Sequence, residues 1–373
     1  MEKTLRIIIS GGGTGGHIFP AISIANAIKE LNPGVEILFA GAEGRMEMEK
    51  VPAAGYSIKA LPVVGFHRRI TAKNLKFPFK LLKSMRLAKN IVKEFNPHVV
   101  VGVGGYASGP ILKVAQRMGI PTLIQEQNSY AGITNKLLAK KANAICVAYE
   151  GMEKYFPKEK IVLTGNPIRQ GLNNVNSLTS EAHEFFGIPS NSKVILVVGG
   201  SLGARTINES ILNSIEKFAE LSGVTLLWQT GQLYHDSIMQ KLAGKDYANI
   251  KVFSFINRMD YAYSMANLVV SRAGACTISE LCFVAKPVIL VPSPNVAEDH
   301  QTKNALALVN KNAAIMITDM EAPKRLADEA ISLIANEDKQ KELGQNISKM
   351  ALPNSDKMIA QRVLELSNLK QII

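Results

Sequence analysis

Short apolar runs alternate with amphipathic segments along this chain. Residues 5–10 and 35–40 form two such runs, and between them lie a glycine-rich loop and a segment, about residues 19–31, whose apolar positions repeat at helical spacing. Further apolar runs cover residues 98–103 and 122–125. Strands that are apolar throughout are covered on both faces, so the pattern predicts parallel sheets between layers of helices.

The same pattern restarts after a polar stretch at residues 171–180, which favours a domain boundary there. A predicted strand over residues 193–198 enters a second glycine loop, and one helix is predicted over residues 204–221. The other predicted strands cover residues 161–164, 225–229, 251–253, 268–271 and 288–291, and C-terminal helices are predicted over 323–335, 338–350 and 355–369.

The length of 373 residues also favours two domains, because a single hydrophobic core rarely extends so far. We assign residues 1–165 to an N-terminal domain and residues 166–353 to a C-terminal domain. We expect the last helix, within about residues 354–373, to pack back on the first domain.

The charge balance adds a partner class to this picture. Lys and Arg number 43 against 31 Asp and Glu, a net charge of +12, so an anionic partner is expected: nucleic acid, anionic lipid or a phosphorylated small molecule. Cys146, Cys276 and Cys282 form no CxxC pair and favour a reducing compartment. We expect no signal peptide, and no run approaches the ~18 apolar residues of a spanning helix, so any membrane contact would be peripheral.

Three glycine loops, residues 11–16, 102–105 and 199–203, follow predicted strands in register. In open parallel sheets such loops lie at the carboxyl edge, where phosphates bind to backbone N–H groups and to helix N-termini. The first loop satisfies GxGxxG, but Glu43 comes too late after the second strand for a usual NAD site. Tight turns alone would explain one loop, whereas three in register favour a ligand cleft between two facing domains.

Two ionisable residues stand at predicted helix starts. His17 ends the first glycine loop and is a candidate base for an attacking hydroxyl, with helix capping or donor binding as the alternatives. Glu280 is a candidate acceptor for a ribose diol, with a first-turn carboxylate complementing the helix dipole as its alternative. Further polar contacts for a sugar are expected from Glu298, Asp299, His300 and Gln301.

Motifs for metal chemistry are missing from the sequence. It contains no HExxH, no cysteine–histidine cluster with ligand spacing and no strand-end DxD. We therefore predict no metal site and no cofactor. Backbone dipoles and basic side chains would have to stabilise a departing diphosphate, and a single displacement needs no enzyme nucleophile.

A basic and apolar segment runs over residues 50–93, which contain no acidic residue and eleven basic ones. Mixed apolar and basic side chains are typical of a peripheral site on an anionic membrane. A solvated helix whose core side holds Leu81, Leu82, Met85 and Leu87 is the alternative, and nucleic acid is not expected because no recognition motif accompanies the charge. The predicted membrane residues are Phe66, Arg68, Arg69, Leu75, Lys76, Phe77, Phe79, Lys80, Leu82 and Lys83.

Six segments spread over nearly the whole chain form one set of motifs: GGGTGGHIFPA (residues 11–21), GGYASGP (104–110), QEQN (125–128), GNPIR (165–169), GGSLGAR (199–205) and SRAGACTISE (271–280). Together, and in this order, they resemble the MurG family of bacterial N-acetylglucosaminyltransferases. The resemblance implies a GT-B fold, in which two Rossmann-like open parallel-sheet domains face a central cleft. The N-terminal domain would then bind the acceptor and the membrane, and the C-terminal domain the UDP-sugar.

The activity implied by the resemblance is a step of peptidoglycan synthesis. N-acetylglucosamine would pass from UDP-N-acetylglucosamine to the 4-hydroxyl of the muramyl sugar of undecaprenyl-diphosphate-muramyl-pentapeptide, with inversion and without a metal. The protein would be peripheral at the cytoplasmic face of the plasma membrane.

The resemblance also implies roles for individual residues. His17, Glu126 and Asn128 fall at the catalytic positions, Glu280 would hold the ribose, and the backbone of Ile256 would meet the uracil. The acceptor diphosphate would lie near Gly13, Gly104, Gly105 and Tyr106. The donor contacts would be Thr14, Gly15, Gly16, Asn128, Arg169, Ser201, Ile256, Ala275, Cys276, Thr277, Ile278, Ser279, Glu280 and Gln301.

The sequence departs from the family pattern at three positions. Leu202 replaces a common glutamine, His300 precedes Gln301 where a second glutamine can occur, and Cys276 stands at a usually aliphatic place. The remaining alternatives are a transferase of the same fold with another lipid or sugar, a UDP-N-acetylglucosamine 2-epimerase, and a non-catalytic nucleotide-sugar or nucleic-acid binder. The basic, apolar segment argues against the epimerase, and the glycine loops with His17 and Glu280 argue against the binder.

Overall fold

The computed structural model describes residues 4–63, 77–169, 171–296 and 299–368. The chain divides into two compact units. The first ends at Ile168 and also takes in the segment that begins at Leu352, and the second spans Arg169–Ala351. No described helix is long and apolar enough to cross a membrane.

The first unit is built on a seven-stranded parallel sheet in the order β3-β2-β1-β4-β5-β6-β7. Its strands are β1 (Arg6–Ser10), β2 (Glu36–Ala42), β3 (Ser57–Leu61), β4 (Val99–Gly102), β5 (Thr122–Glu126), β6 (Ala144–Val147) and β7 (Ile161–Leu163). Its helices are α1 (Gly15–Leu31), α2 (Glu47–Ala53), α3 (Phe77–Phe95), α4 (Ser108–Arg117), α5 (Ile133–Ala139) and, from the C-terminal segment, α15 (Ser355–Asn368). Short 3-10 helices cover Met152–Lys154 and Lys158–Lys160.

Helices cover both faces of this sheet, as the apolar strands predict. Ile7 and Ile9 of β1 join one core with α1 and α15, whereas Ile8 between them joins another with α3, α4 and α5. Helix α15 packs on α1, where Ile359 and Val363 are fully buried. The chain moves outward from β1 to β3 and then returns across β1 to β4, so the loops after β1 and β4 are neighbours.

The second unit is built on a six-stranded parallel sheet in the order β10-β9-β8-β11-β12-β13. Its strands are β8 (Lys193–Val198), β9 (Val224–Gln229), β10 (Ile250–Phe253), β11 (Ala266–Ser271), β12 (Val288–Leu290) and β13 (Ile315–Met316). Its helices are α6 (Thr179–Phe186), α7 (Arg205–Asn213), α8 (Ile215–Ala219), α9 (His235–Leu242), α10 (Met259–Met265), α11 (Ala275–Val284), α12 (His300–Val309), α13 (Ala322–Ala335) and α14 (Glu337–Ser348).

Three structural details were not predicted from the sequence. The polar stretch at residues 171–180 is folded: Leu172–Leu178 is a 3-10 helix, anchored by buried Leu172 and Val175, and α6 follows at once. The single helix predicted over residues 204–221 is interrupted at Ser214, whose backbone leaves the helical region. Helix α1 begins at Gly15 and so includes the end of the glycine loop, although glycine disfavours helices.

Candidate active site

The first two glycine loops touch through their backbones at the carboxyl edge of the first sheet. Gly105 has a φ of +80°, and a Cβ added there would lie 2.3 Å from the carbonyl oxygen of Gly12. Only glycine allows both this φ and this approach. A Cβ on Gly104 would lie 3.0 Å from His17 Nε2, and His17 Nδ1 lies 3.2 Å from Thr14 Oγ1. The structure therefore brings His17 against the second loop, with Thr14 of the first loop beside it.

Glu47, which sequence reasoning missed, holds the first loop from behind. Its carboxylate is fully buried and accepts hydrogen bonds from the N–H groups of Gly13 (3.0 Å) and Ala42 (2.9 Å). Side chains at Gly12 and Gly41 would collide with it. The sequence does show a glycine near the end of β2 and a carboxylate at the start of α2. That the two lie against each other is visible only in the three-dimensional structure.

Glu126 organises the loop that carries Asn128. One carboxylate oxygen accepts from the N–H (3.1 Å) and Nδ2 (3.3 Å) of Asn128, and the other from the N–H of Gly132 (3.0 Å) and Nδ2 of Asn135 (2.8 Å). Burial raises the pKa of Glu126, and these hydrogen bonds offset part of the rise. The carboxylate is 2% exposed, so the structure places it beneath the loop, which it shapes.

Buried amides join the ends of several strands in the first unit. Gln125 Nε2 donates to Asn166 Oδ1 (2.9 Å), and Asn166 Nδ2 donates to the carbonyl of Gln127 (3.0 Å). Gln127 Nε2 donates to the carbonyl of Val103 (2.7 Å). The QEQN and GNPIR motifs therefore contain residues whose visible role is to fix loop geometry. Tyr106, in the second loop, is exposed.

In the second unit, Arg169 and Glu280 meet directly. Arg169 Nε lies 2.7 Å from Glu280 Oε1, and the Tyr263 hydroxyl donates to Glu280 Oε2 at 3.1 Å. The Glu280 side chain is 5% exposed and that of Arg169 is 46% exposed. Burial acts to lower the pKa of Arg169, but the charge and hydrogen bond of Glu280 outweigh it and raise the pKa. Arg169 therefore carries a permanent charge at this edge.

Gln229, which the sequence did not point to either, joins two loops of the predicted donor site. Its Oε1 accepts from the N–H of Ile256 (2.9 Å), and its Nε2 donates to the carbonyl of Gly200 (3.1 Å). The N–H of Ile256 is thus engaged, and Ser201 follows Gly200 in the loop. Gly203 has a φ of +88°, and a Cβ there would lie 2.2 Å from the carbonyl oxygen of Thr230.

The start of α11 presents small residues, as predicted. Ile278 points into the core and is 2% exposed, while Ser279 Oγ donates to the carbonyl of Ala275 at 3.1 Å. Burial, with Glu280 acting in the same direction, raises the pKa of Cys276 to about 12, so its thiol stays protonated. The remaining residues predicted along this helix start are Ala275 and Thr277.

Gln301 and a neighbouring ion pair fix the loops after β11 and β12. Gln301 Oε1 accepts from the N–H of Ser293 at 2.8 Å. Arg272 Nη1 donates to the carbonyls of Val291 (3.1 Å) and Pro292 (3.2 Å) and pairs with Asp319. Predicted Glu298 lies outside the described residues, and the described residues contain no group of three or more His, Cys, Asp or Glu that could hold a metal ion.

Comparison with known proteins covers both units. Residues 7–147 match the N-terminal domain of glycosyltransferase family 28, and residues 194–363 match its C-terminal domain. This chain belongs to glycosyltransferase family 28. The predictions of a GT-B fold and of a glycosyltransferase are thereby confirmed.

Curated relatives of this family 28 chain share its full length. A protein of Phocaeicola vulgatus is 59% identical over 99% of this chain and 98% of its own, and one of Bacteroides thetaiotaomicron is 57% identical over 98% and 99%. Both are named UDP-N-acetylglucosamine–N-acetylmuramyl-(pentapeptide) pyrophosphoryl-undecaprenol N-acetylglucosamine transferase. The resemblance to the MurG family found in the motifs is confirmed.

Solved structures agree with this family 28 assignment. MurG of Acinetobacter baumannii superposes with a TM-score of 0.77 at 28% identity, over 97% of this chain and 99% of that one. The UDP-GlcNAc 2-epimerase of Neisseria meningitidis reaches 0.65 at 14% identity, over 97% and 100%. The second likeness shows a shared fold and nothing further.

Residues 50–63 and 77–93 of the basic segment are described, and the predicted membrane residues among them lie on helix α3. Near its start Phe79 and Leu82 are 75% and 57% exposed, and Lys80 and Lys83 are exposed beside them. Met85 and Leu87 pack on the core, so the solvated-helix alternative holds for them. It does not hold for Leu81 and Leu82, which are both exposed. Outside the described residues lie Phe66, Arg68, Arg69, Leu75, Lys76 and the side chain of Phe77.

Proposed function

We propose that this chain transfers N-acetylglucosamine from UDP-N-acetylglucosamine to the 4-hydroxyl of the muramyl sugar of undecaprenyl-diphosphate-muramyl-pentapeptide. The observation that carries the proposal is the 59% identity, over 99% of this chain, to the Phocaeicola vulgatus transferase of that name. The contact between His17 and the second glycine loop, together with the Arg169–Glu280 pair, supports it.

His17 is the proposed general base. If Nδ1–H donates to Thr14 Oγ1, the lone pair is on Nε2, the atom that lies against Gly104. The start of α1 favours the neutral imidazole, because a helix N-terminus is partially positive. The acceptor oxygen would bond to the anomeric carbon as its proton passes to Nε2, with the acceptor diphosphate near Gly13, Gly104, Gly105 and Tyr106.

The donor is proposed to lie at the carboxyl edge of the second sheet. As the bond from the anomeric carbon to the phosphate oxygen breaks, UDP leaves with the electron pair, and Arg169, Ser201 and the N–H groups at the start of α11 would stabilise its charge. Glu280 would hold the ribose. Because Gln229 already engages the N–H of Ile256, the carbonyl of Ile256 is the backbone group proposed to meet the uracil.

Roles are also proposed for Asn128, for Glu126 and for the other predicted donor contacts. Asn128 is proposed to contact the sugar from the loop that Glu126 holds, and Glu126 to act by shaping that loop. The remaining donor contacts are proposed at Thr14, Gly15, Gly16, Ala275, Cys276, Thr277, Ile278, Ser279 and Gln301.

Release of UDP, measured with and without a lipid-linked muramyl acceptor, tests this function. The proposal expects release to depend on that acceptor, with a β-1,4-linked disaccharide on the lipid. UDP release in the absence of the acceptor, together with epimerisation of the N-acetylglucosamine at carbon 2, would instead indicate an epimerase. UDP-N-acetylglucosamine that binds and stays intact with every acceptor would indicate a non-catalytic binder.

The membrane contact is proposed to use the start of α3 with the basic segment before it. Phe79 and Leu82 would insert while Lys80 and Lys83 meet anionic head groups at the cytoplasmic face of the plasma membrane. Replacing Phe79 and Leu82 together by Ser should weaken sedimentation with anionic vesicles by about tenfold or more. Met320→Ser, which removes an apolar side chain that is 87% exposed in the second unit, is the matched control.

A further inference from the structure

The Glu280 carboxylate is held by two donors that come from different parts of the second unit. Arg169 Nε bonds to Oε1 at 2.7 Å, and the hydroxyl of Tyr263, from α10, bonds to Oε2 at 3.1 Å. One donor on each oxygen fixes the direction of the carboxylate plane. Tyr263 is 2% exposed, so its ring is held by packing, whereas the Arg169 side chain is 46% exposed.

The hydrogen-bonding capacity of this carboxylate leaves room for a diol. An ionised carboxylate offers about four lone-pair positions, two on each oxygen. Arg169 and Tyr263 occupy one position on each oxygen, which leaves one on each. Two adjacent hydroxyls of a ribose present two donors, one for each of these remaining positions.

Tyr263 is able to act only as a donor toward Glu280. Burial, with the Glu280 charge acting in the same direction, keeps the pKa of Tyr263 well above its usual range. The hydroxyl therefore stays protonated at every pH at which the protein works.

We propose that the Tyr263 hydroxyl is a positioning group that orients the Glu280 carboxylate so that the donor site distinguishes a ribonucleotide from its 2′-deoxyribonucleotide. This inference rests on the proposed role of Glu280 in holding the donor ribose. Tyr263 itself touches no substrate and acts through Glu280.

Tyr263→Phe tests the inference because it removes one oxygen and keeps the buried ring. Dissociation constants for UDP and for 2′-deoxy-UDP are measured by calorimetry on the full chain. The wild type should prefer UDP by about tenfold or more, because the 2′-hydroxyl donates to a charged carboxylate. In Tyr263→Phe the preference should fall by about three- to tenfold, mainly through weaker binding of UDP.

The matched control is Tyr247→Phe. Tyr247 also donates its hydroxyl to a glutamate, Glu216 Oε1 at 2.7 Å, but on the outer surface of the same unit. This variant should keep the wild-type preference. In a Glu280→Ala background, Tyr263→Phe should have no further effect on the preference, because the group through which it acts is gone.

Several outcomes would overturn the inference. It is wrong if Tyr263→Phe keeps the wild-type preference, or if it weakens UDP and 2′-deoxy-UDP equally. Should Tyr263→Phe fail to fold, Glu280→Asp, which draws the carboxylate back from Tyr263, must show the same lost preference, and an unchanged ratio there overturns the inference.

Failure of this inference is distinguishable from failure of the proposed function. Both nucleotides are measured without an acceptor. If Tyr263→Phe loses the preference for UDP but the wild type transfers no sugar, this inference holds and the proposed function fails. Sugar transfer with an unchanged preference would overturn only this inference. A wild type that binds both nucleotides equally would remove the ribose role of Glu280 and this inference with it.

Discussion

At the carboxyl edge of the first sheet, buried Glu47 and Glu126 accept hydrogen bonds from loop N–H groups and from side-chain amides. At the corresponding edge of the second sheet, Glu280 and Asp319 pair with Arg169 and Arg272. Both arrangements satisfy carboxylates that are buried or, for Asp319, half-buried, but they leave different groups for a ligand.

The difference lies in which donors remain. In the first unit the carboxylates consume N–H groups of the loops, including that of Gly13, which fixes loop shape around His17. In the second unit a guanidinium brings five N–H donors, so Arg169 keeps further donors after it bonds to Glu280. We infer that the first edge is suited to positioning a hydroxyl and the second to receiving a departing diphosphate.

The largest effect expected at the first edge comes from His17→Ala. Loss of a general base should lower kcat by about 10²- to 10⁴-fold. The affinity for UDP should change little, because the proposed UDP contacts lie mainly in the second unit. Steady-state turnover and UDP titration measure the two quantities, and an unchanged kcat would exclude His17 as the base.

Gly105→Ala tests the contact between the first two glycine loops. The added methyl meets the carbonyl of Gly12 at 2.3 Å and demands a φ of +80°, so the free energy of unfolding should fall by ~2–5 kcal/mol. Gly44→Ala is the control, because its φ is +68° but open space surrounds its Cβ, and it should cost ~1–2 kcal/mol. Equal costs in urea denaturation would show that the loops do not press on one another.

Glu126→Gln tests whether a carboxylate is required beneath the Asn128 loop. An amide NH2 would face donors that now meet an oxygen, so stability should fall by ~1–3 kcal/mol. Because burial raises the folded-state pKa of Glu126, the stability that this group contributes is greatest below the unfolded pKa and is lost as the pH rises through the folded pKa. The deficit of the variant, measured by urea denaturation, should therefore shrink as the pH rises from the unfolded-state pKa of a glutamate through the raised folded-state pKa. A deficit that grows over this range would contradict the assigned direction.

Of the four substitutions considered for the two sheet edges, Asp319→Asn should have the smallest effect. The variant keeps an oxygen for Arg272 and a polar group for the Thr206 hydroxyl, which now donates to Asp319 Oδ2 at 2.8 Å, and loses only the charge. A loss of about 1 kcal/mol is expected, measured as a lower urea midpoint. If this loss equals that of Glu126→Gln, the two edges do not differ as inferred.

Much of the fold follows from local features of the amino-acid sequence. Continuous apolar runs such as those of β1 and β8 predict strands buried on both faces, and glycine loops after them predict the carboxyl-edge site. These features depend on residues close together in sequence, which is why the parallel sheets, both glycine-loop edges and the family were all found from the sequence.

Only the tertiary structure decided which polar groups hold the site together. Glu47 and Gln229 lie in ordinary sequence surroundings, and their partners Gly13 and Ile256 are 34 and 27 residues away. Leu172 and Val175 likewise turned a polar stretch into part of a core through packing that no local pattern shows. A hydrogen bond or a buried contact is a property of two distant segments in one place, and a one-dimensional pattern carries no distance between them.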